Sequence, residues 1–231
     1  MNPGADDAPL NGVLADRIAV DTLNMDWQAS PSNSVWRKRV HRVGPAESGQ
    51  VTSLVRYEPD SRFPPHDHPD GEEILVLEGT FSDQAGDWGA GSYLLNPEGF
   101  RHAPFSREGC VIFVKLRQAP GPDRTHIQLQ TRELPWVADD EPGVSYKQLY
   151  QQPGFTDRVR LERWDGATQV ERSWPDGVEL LVIAGEIGDS EGSYREGCWL
   201  RLPAGSTQTL LSKGGCELYI KEGGFTYLDS A

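Results

Sequence analysis

The chain has 231 residues, 37% of them hydrophobic, and a formal net charge of −13. That acidity argues against a nucleic-acid role built on a basic face and against an anionic membrane surface as partner. No apolar run reaches membrane-spanning length, and the three cysteines (Cys110, Cys198 and Cys216) lack the CxxC spacing of a redox or zinc site.

The opening stretch, MNPGADDAPLNG, has no basic segment and no apolar core. No secretory leader is therefore expected, and an odd number of unpaired thiols points to the cytoplasm. The 25 glycines and 17 prolines fall between short apolar runs, a pattern of many turns and short strands. An all-β chain with little helix is expected. WRKRVHR (36–42) is locally basic and reads as one exposed strand face. VTSLVRYE (51–58) reads as a strand on its β-branched and aromatic content. In PPHDHPDGEEILVLEG (64–79), His66 and His68 stand two apart on an expected strand, so both point to one face. A Pro-Asp-Gly turn follows, and Glu72 opens the next strand. Alternation sends Glu73 to the opposite face, to a supporting role or to solvent. GSYLLNP (91–97) is a further strand, and His102 follows another turn in NPEGFRH. CVIFVKL (110–116) is a core strand in which Cys110 reads as a small buried apolar residue, as do Cys198 and Cys216. Tyr57, Phe63, Trp88 and Phe100 are candidates for lining a pocket. His41 and His126 read as ordinary surface or partly buried histidines.

The rest of the chain repeats the first part. HPDGEEILVLEGTFSD (68–83) aligns with WPDGVELLVIAGEIGD (174–189) at an offset of 106, and the same offset carries on without a gap. Gly79 falls on Gly185, Gly91 on Gly197, Pro97 on Pro203, Cys110 on Cys216 and Lys115 on Lys221. The chain therefore divides into two copies of one β domain, 19–118 and 142–228, with the break expected within 118–142. The copies differ at four positions together. His66 becomes Arg172, His68 becomes Trp174, Glu72 becomes Val178 and His102 becomes Gln208. Loss of all four at once marks them as one constellation.

Three imidazoles and a carboxylate suit zinc or iron, with manganese, nickel or copper also admitted. A calcium or magnesium site would use more carboxylates. One divalent transition metal is expected per chain, in the first copy, held by His66, His68, Glu72 and His102. In the second copy, Arg172 and Trp174 are read as filling the vacated volume in preference to forming a receptor for a carboxylate-bearing ring.

The spacing resembles the cupin superfamily. HDH (66–68), Glu72 and Gly79 fit the first cupin motif, with Asp60 where the family has glycine. Gly91, Pro97, Gly99 and His102 fit the second, with Ser106 in place of the final Asn. The resemblance implies a jelly-roll barrel (double-stranded β-helix) for each copy, a bicupin, and it implies His66, His68, Glu72 and His102 as metal ligands. Residues 19–118 further resemble the cupin module of ChrR-type anti-sigma factors, with a weaker echo over 142–222. In that family an N-terminal zinc-binding helical domain grips the sigma factor. About twenty residues precede the first copy here, without Cys or His, which argues against a sigma-factor partner. A ChrR-like cupin on its own also resembles diketone-cleaving dioxygenases that use non-haem iron. Two functions follow: an iron dioxygenase acting on a small diketone-like or phenolic molecule in the first barrel, or a non-catalytic zinc-binding sensor or regulator. No acid–base residue outside the ligand set is assigned. A small-molecule ligand and a homodimer stay open as partners.

Overall fold

The computed structural model describes residues 8–45 and 47–229. The first seven residues, on which part of the leader reading rests, lie outside them. Among the described residues, helix is limited to three short 3-10 turns, Thr22–Asn24, Thr131–Glu133 and Gly224–Tyr227. No helix is long and apolar enough to cross a membrane. All remaining regular structure is antiparallel strand, as the turn-rich, β-branched sequence requires.

The strands group into two compact units. The first contains Asp26–Glu133 together with the described residues up to Gly12 and from Tyr227; the second contains Val13–Met25 and Leu134–Thr226.

In the first unit the main sheet runs in the order Ile127–Gln130, Ser92–Asn96, Glu72–Asp83, Cys110–Leu116, Gln50–Tyr57, Val35–Val43, Gln28–Ala29. A two-stranded ladder of His66–His68 with Phe100–His102 belongs to its other layer. There, too, Phe105–Ser106 bridges Ser61–Arg62 and the distal part of Glu72–Asp83. The core between the layers holds Val35, Val55, Ile74, Val76, Phe81, Leu94, Ile112 and Val114.

The second unit repeats this order with Ile18–Asp21, Cys198–Leu202, Val178–Gly188, Cys216–Glu222, Arg158–Trp164, Val144–Gln151 and Val137–Ala138. Thr168–Trp174 with Ser206–Ser212 forms the ladder equivalent to the histidine-bearing one. The outer strand of each main sheet is supplied from outside the contiguous repeat. Ile18–Asp21 pairs with Cys198–Leu202, and Ile127–Gln130 pairs with Ser92–Asn96.

The matched glycines have a shared cause. Between Val76 and Glu78 the ladder to Cys110–Leu116 skips one residue, and between Val182 and Ala184 its counterpart does the same. Directly after each bulge the chain turns through positive φ, +67° at Gly79 and +73° at Gly185. A Cβ there would stand 2.1 Å from the Gly109 carbonyl oxygen and 2.2 Å from that of Gly215. Gly79→Ala and Gly185→Ala are each expected to cost about 1–3 kcal/mol in urea unfolding. Gly99→Ala, where φ is +82° but nothing lies within 4 Å, should cost less. Equal losses at all three positions would make backbone strain, not the collision, the cause.

One expectation is corrected. Val35–Val43, which carries the basic WRKRVHR run, is not an exposed face. Lys38, His41 and Arg42 are buried. Lys38 lies over the Trp27 ring at 4.5 Å, where the indole face stabilises the ammonium. Arg42 donates to the Ala8 carbonyl, and the His41 Nδ1 lies 3.1 Å from the Asn11 carbonyl. An N-terminal segment thus covers this strand. The three cysteines are free and buried, as expected, and burial pushes the Cys110 thiol up to about 11.

Candidate metal centre

Both motif departures keep the geometry of the motif. Asp60, standing for glycine, adopts φ +59°, a left-handed conformation that Asp tolerates better than most residues. Ser106, standing for Asn, donates its hydroxyl to the Thr80 carbonyl at 2.6 Å.

In the short ladder His66 lies across from His102, and His68 across from Phe100. The period of two puts all three imidazoles on one face, toward the barrel interior. Glu72 opens the main-sheet strand opposite. The ligating nitrogens of His66, His68 and His102 lie within 4.8 Å of one another and could hold a metal ion. His68 Nε2 and His102 Nε2 are 3.0 Å apart, and Glu72 Oε2 is 3.5 Å from each. Two donors at about 2.1 Å from one ion stand about 3.0–3.5 Å apart for angles between right and tetrahedral. The spacing of His68, His102 and Glu72 therefore fits a transition-metal ion, with His66 beside them. The structure brings together all four residues singled out from the sequence.

The tautomers fit as well. His102 Nδ1 donates to Asp83 at 3.3 Å and His66 Nδ1 donates to the Pro64 carbonyl at 2.9 Å. Each bond commits the outer nitrogen as donor and leaves the Nε2 lone pair facing the cluster, the arrangement that supports metal-bound histidines. Electrostatics differ between the two buried rings. Burial lowers the affinity of His102 for a proton, but the Asp83 bond and the Glu72 and Asp83 charges outweigh it, so its pKa is raised. Burial and the neighbouring imidazoles hold His68 low, against the pull of Glu72.

Glu72 is itself oriented. Asn96, its cross-strand partner, donates Nδ2 to Glu72 Oε2 at 2.9 Å, and Asn96 Oδ1 lies 3.1 Å from His126 Nε2. His126 is exposed but not idle, since its ring also lies 4.8 Å from Phe100, which in turn packs on His102 at 5.5 Å. Asp83 and Asn96 went unread in the sequence. Asn96 had a signal: the cross-strand pair Glu72–Asn96 becomes Val178–Leu202 in the second copy. Asp83 had none, because it persists as Asp189, where it binds Arg17 and Tyr194 instead.

A cavity of about 380 Å³ opens onto His66, His68 and Glu72. Val35, Val51, Val55, Ile112, Val114 and Leu116 form its apolar wall, with Tyr57 and Phe63 as expected. Trp88 instead packs against the adjoining core.

In the second unit other residues take the matching positions. Arg172 lies across from Gln208 and Trp174 across from Ser206, the register of the histidine ladder. Trp174 and Trp164 are buried in the core with Val178. Arg172 pairs with the fully buried Glu162 at 2.5 Å. Arg172, Trp174, Val178 and Gln208 stand where the first copy has its donors, with Glu162 paired to Arg172 and the Trp164 ring 5.7 Å from the Arg172 guanidinium.

Solved structures share the fold. A Nostoc punctiforme protein named as a "putative dioxygenase" superposes with a TM-score of 0.74 at 17% identity, over 89% of this chain and 82% of that one. Escherichia coli pirin YhhW, in complex with nickel(II), gives 0.67 at 12% identity over 90% and 98%. A Bacillus subtilis oxalate decarboxylase OxdC mutant gives 0.63 at 12% over 93% and 78%. No curated protein matches the chain. The ChrR cupin-like domain model matches twice, over residues 15–120 and 124–226, so the chain belongs to the ChrR cupin-like domain family.

Proposed function

We propose that the protein is a metal-dependent oxygenase of the non-haem iron type, acting on a small diketone-like or phenolic molecule. The observation that carries this reading is the cavity opening directly onto His66, His68 and Glu72. A metal that only braced the barrel would need no such space. Bound iron(II) would supply the chemistry that joins dioxygen to an organic substrate. His66, His68, His102 and Glu72 hold the ion in this reading, Asp83 and Asn96 orient two of them, and the aliphatic wall excludes water. Tyr57 is held protonated by burial and by the Glu72 charge, so it presents a neutral hydroxyl to the cavity.

One observation favours a second reading. Four protein donors complete a tetrahedral zinc shell, which suits a non-catalytic sensor or regulatory module. Elemental analysis after anaerobic purification separates the two. One iron per chain, with oxygen uptake on adding β-diketones or phenolic ketones, is the expected result. One chelator-resistant zinc per chain, without oxygen uptake in iron-reconstituted protein, would overturn the oxygenase reading.

A further inference from the structure

Beside its aliphatic and aromatic wall the cavity is lined by two guanidinium groups, Arg37 and Arg117, and away from the metal cluster by two carboxylates, Glu47 and Asp67. Arg37 follows Val35 by two on the same strand, so both point inward. Its Nη1 donates to both carboxylate oxygens of Glu47 at 2.9 Å. Glu47 also takes a bond from Arg39 at 3.2 Å, and its side chain is 49% exposed while that of Arg37 is 16% exposed. The cation is thus anchored in the cavity wall, and its carboxylate partner reaches in from solvent. Arg37 already holds a carboxylate, and Glu47 can leave to water at small cost.

The second copy supports the assignment. Val35 lies across from Tyr57, which faces Cys110; Val144 lies across from Trp164, which faces Cys216. In that register Arg37 corresponds to Tyr146. At the matching position the second copy has Tyr146, whose ring the Arg160 guanidinium covers at 5.5 Å while pairing with the buried Glu162, so no cation there is held by an exposed, displaceable carboxylate alone.

We infer that the cavity takes a small organic acid, its carboxylate on Arg37 in place of Glu47 and its chelating oxygens toward the histidine cluster. This rests on the proposed metal site and names its substrate class.

The test uses zinc-loaded full-length protein, which binds without turnover, and calorimetry with 2,4-dioxopentanoate against its methyl ester. The acid should bind at least about tenfold more tightly than the ester, the margin of one charge-assisted contact. Arg37→Gln should abolish that preference while keeping one zinc per chain, and Glu47→Gln should strengthen acid binding severalfold by removing the competitor. A preference that survives Arg37→Gln, vanishes only in Arg117→Gln, or is missing from the native protein would overturn the inference. Should the native protein take up no metal, the metal reading fails, and an Arg37-dependent preference measured on metal-free protein would still stand.

Discussion

His102→Ala protein is expected to purify with no stoichiometric metal while keeping its fold. His102 contributes the nitrogen 3.0 Å from His68 Nε2, and its ring is locked from behind by Asp83 and flanked by Phe100. Truncation removes one of the three imidazoles and leaves a small void that the neighbouring aromatics can partly close. The second unit has glutamine at the matching place and still builds its barrel, so the ladder does not depend on this imidazole. Asp83→Asn keeps the donor count but weakens the hold on the ring, and should lower metal affinity by about 10–100-fold. Metal per chain by elemental analysis and competition with a chelator measure both. A His102→Ala protein that retains one ion per chain would show that the ion sits elsewhere.

The second large effect lies in the other unit. Glu162 is fully buried, accepts from Trp164 Nε1 at 2.7 Å, and pairs with both Arg172 and Arg160 at 2.5 Å. Removing a buried carboxylate leaves two cations close together, offset only in part by Asp139, 3.3 Å from Arg160 and 4.0 Å from Arg172, and by Glu222, 3.9 Å from Arg160, a loss of about 3 kcal/mol. The arginine side chains are only 11% and 18% exposed, so water recovers little of it. Glu162→Ala should therefore lower the denaturant midpoint sharply. Replacing Glu162 and Arg172 together by methionine should restore much of the loss, because a matched apolar pair avoids the desolvation of both charges. If Glu162→Ala costs less than about 1 kcal/mol, the ion pair does not brace this barrel as a metal would.

What could be read from the sequence depended on contrast between the copies. His66, His68, Glu72 and His102 stood out because all four change together, and the structure brings them to one point. Asn96 was open to the same logic through Leu202. Asp83 was not, since a carboxylate kept in both copies serves a histidine in one and an arginine in the other. The basic strand was misjudged because local charge says nothing of what covers it; Trp27 and the segment near Leu10 come from elsewhere in the chain. The outer strands were illegible for a different reason. IAVD and IQLQ are the same strand in duplicate, and nothing in either marks which sheet edge it will complete.

That exchange sets an order of events during synthesis. Val13 accepts a hydrogen bond from Arg201, 188 residues further along, and Ile18–Asp21 completes a ladder with Cys198–Leu202. On the ribosome Ile18–Asp21 emerges long before Cys198–Leu202 and can find its place only once that strand has been made. Such a distant closure is slow, because the loop entropy is lost before any contact repays it. Until then a hydrophobic strand and the edge it will cover are both unpaired, the situation in which nascent chains aggregate. The same wiring means that a single cut after Glu133 keeps Ile127–Gln130 with the first barrel but parts the second barrel from its edge strand Ile18–Asp21.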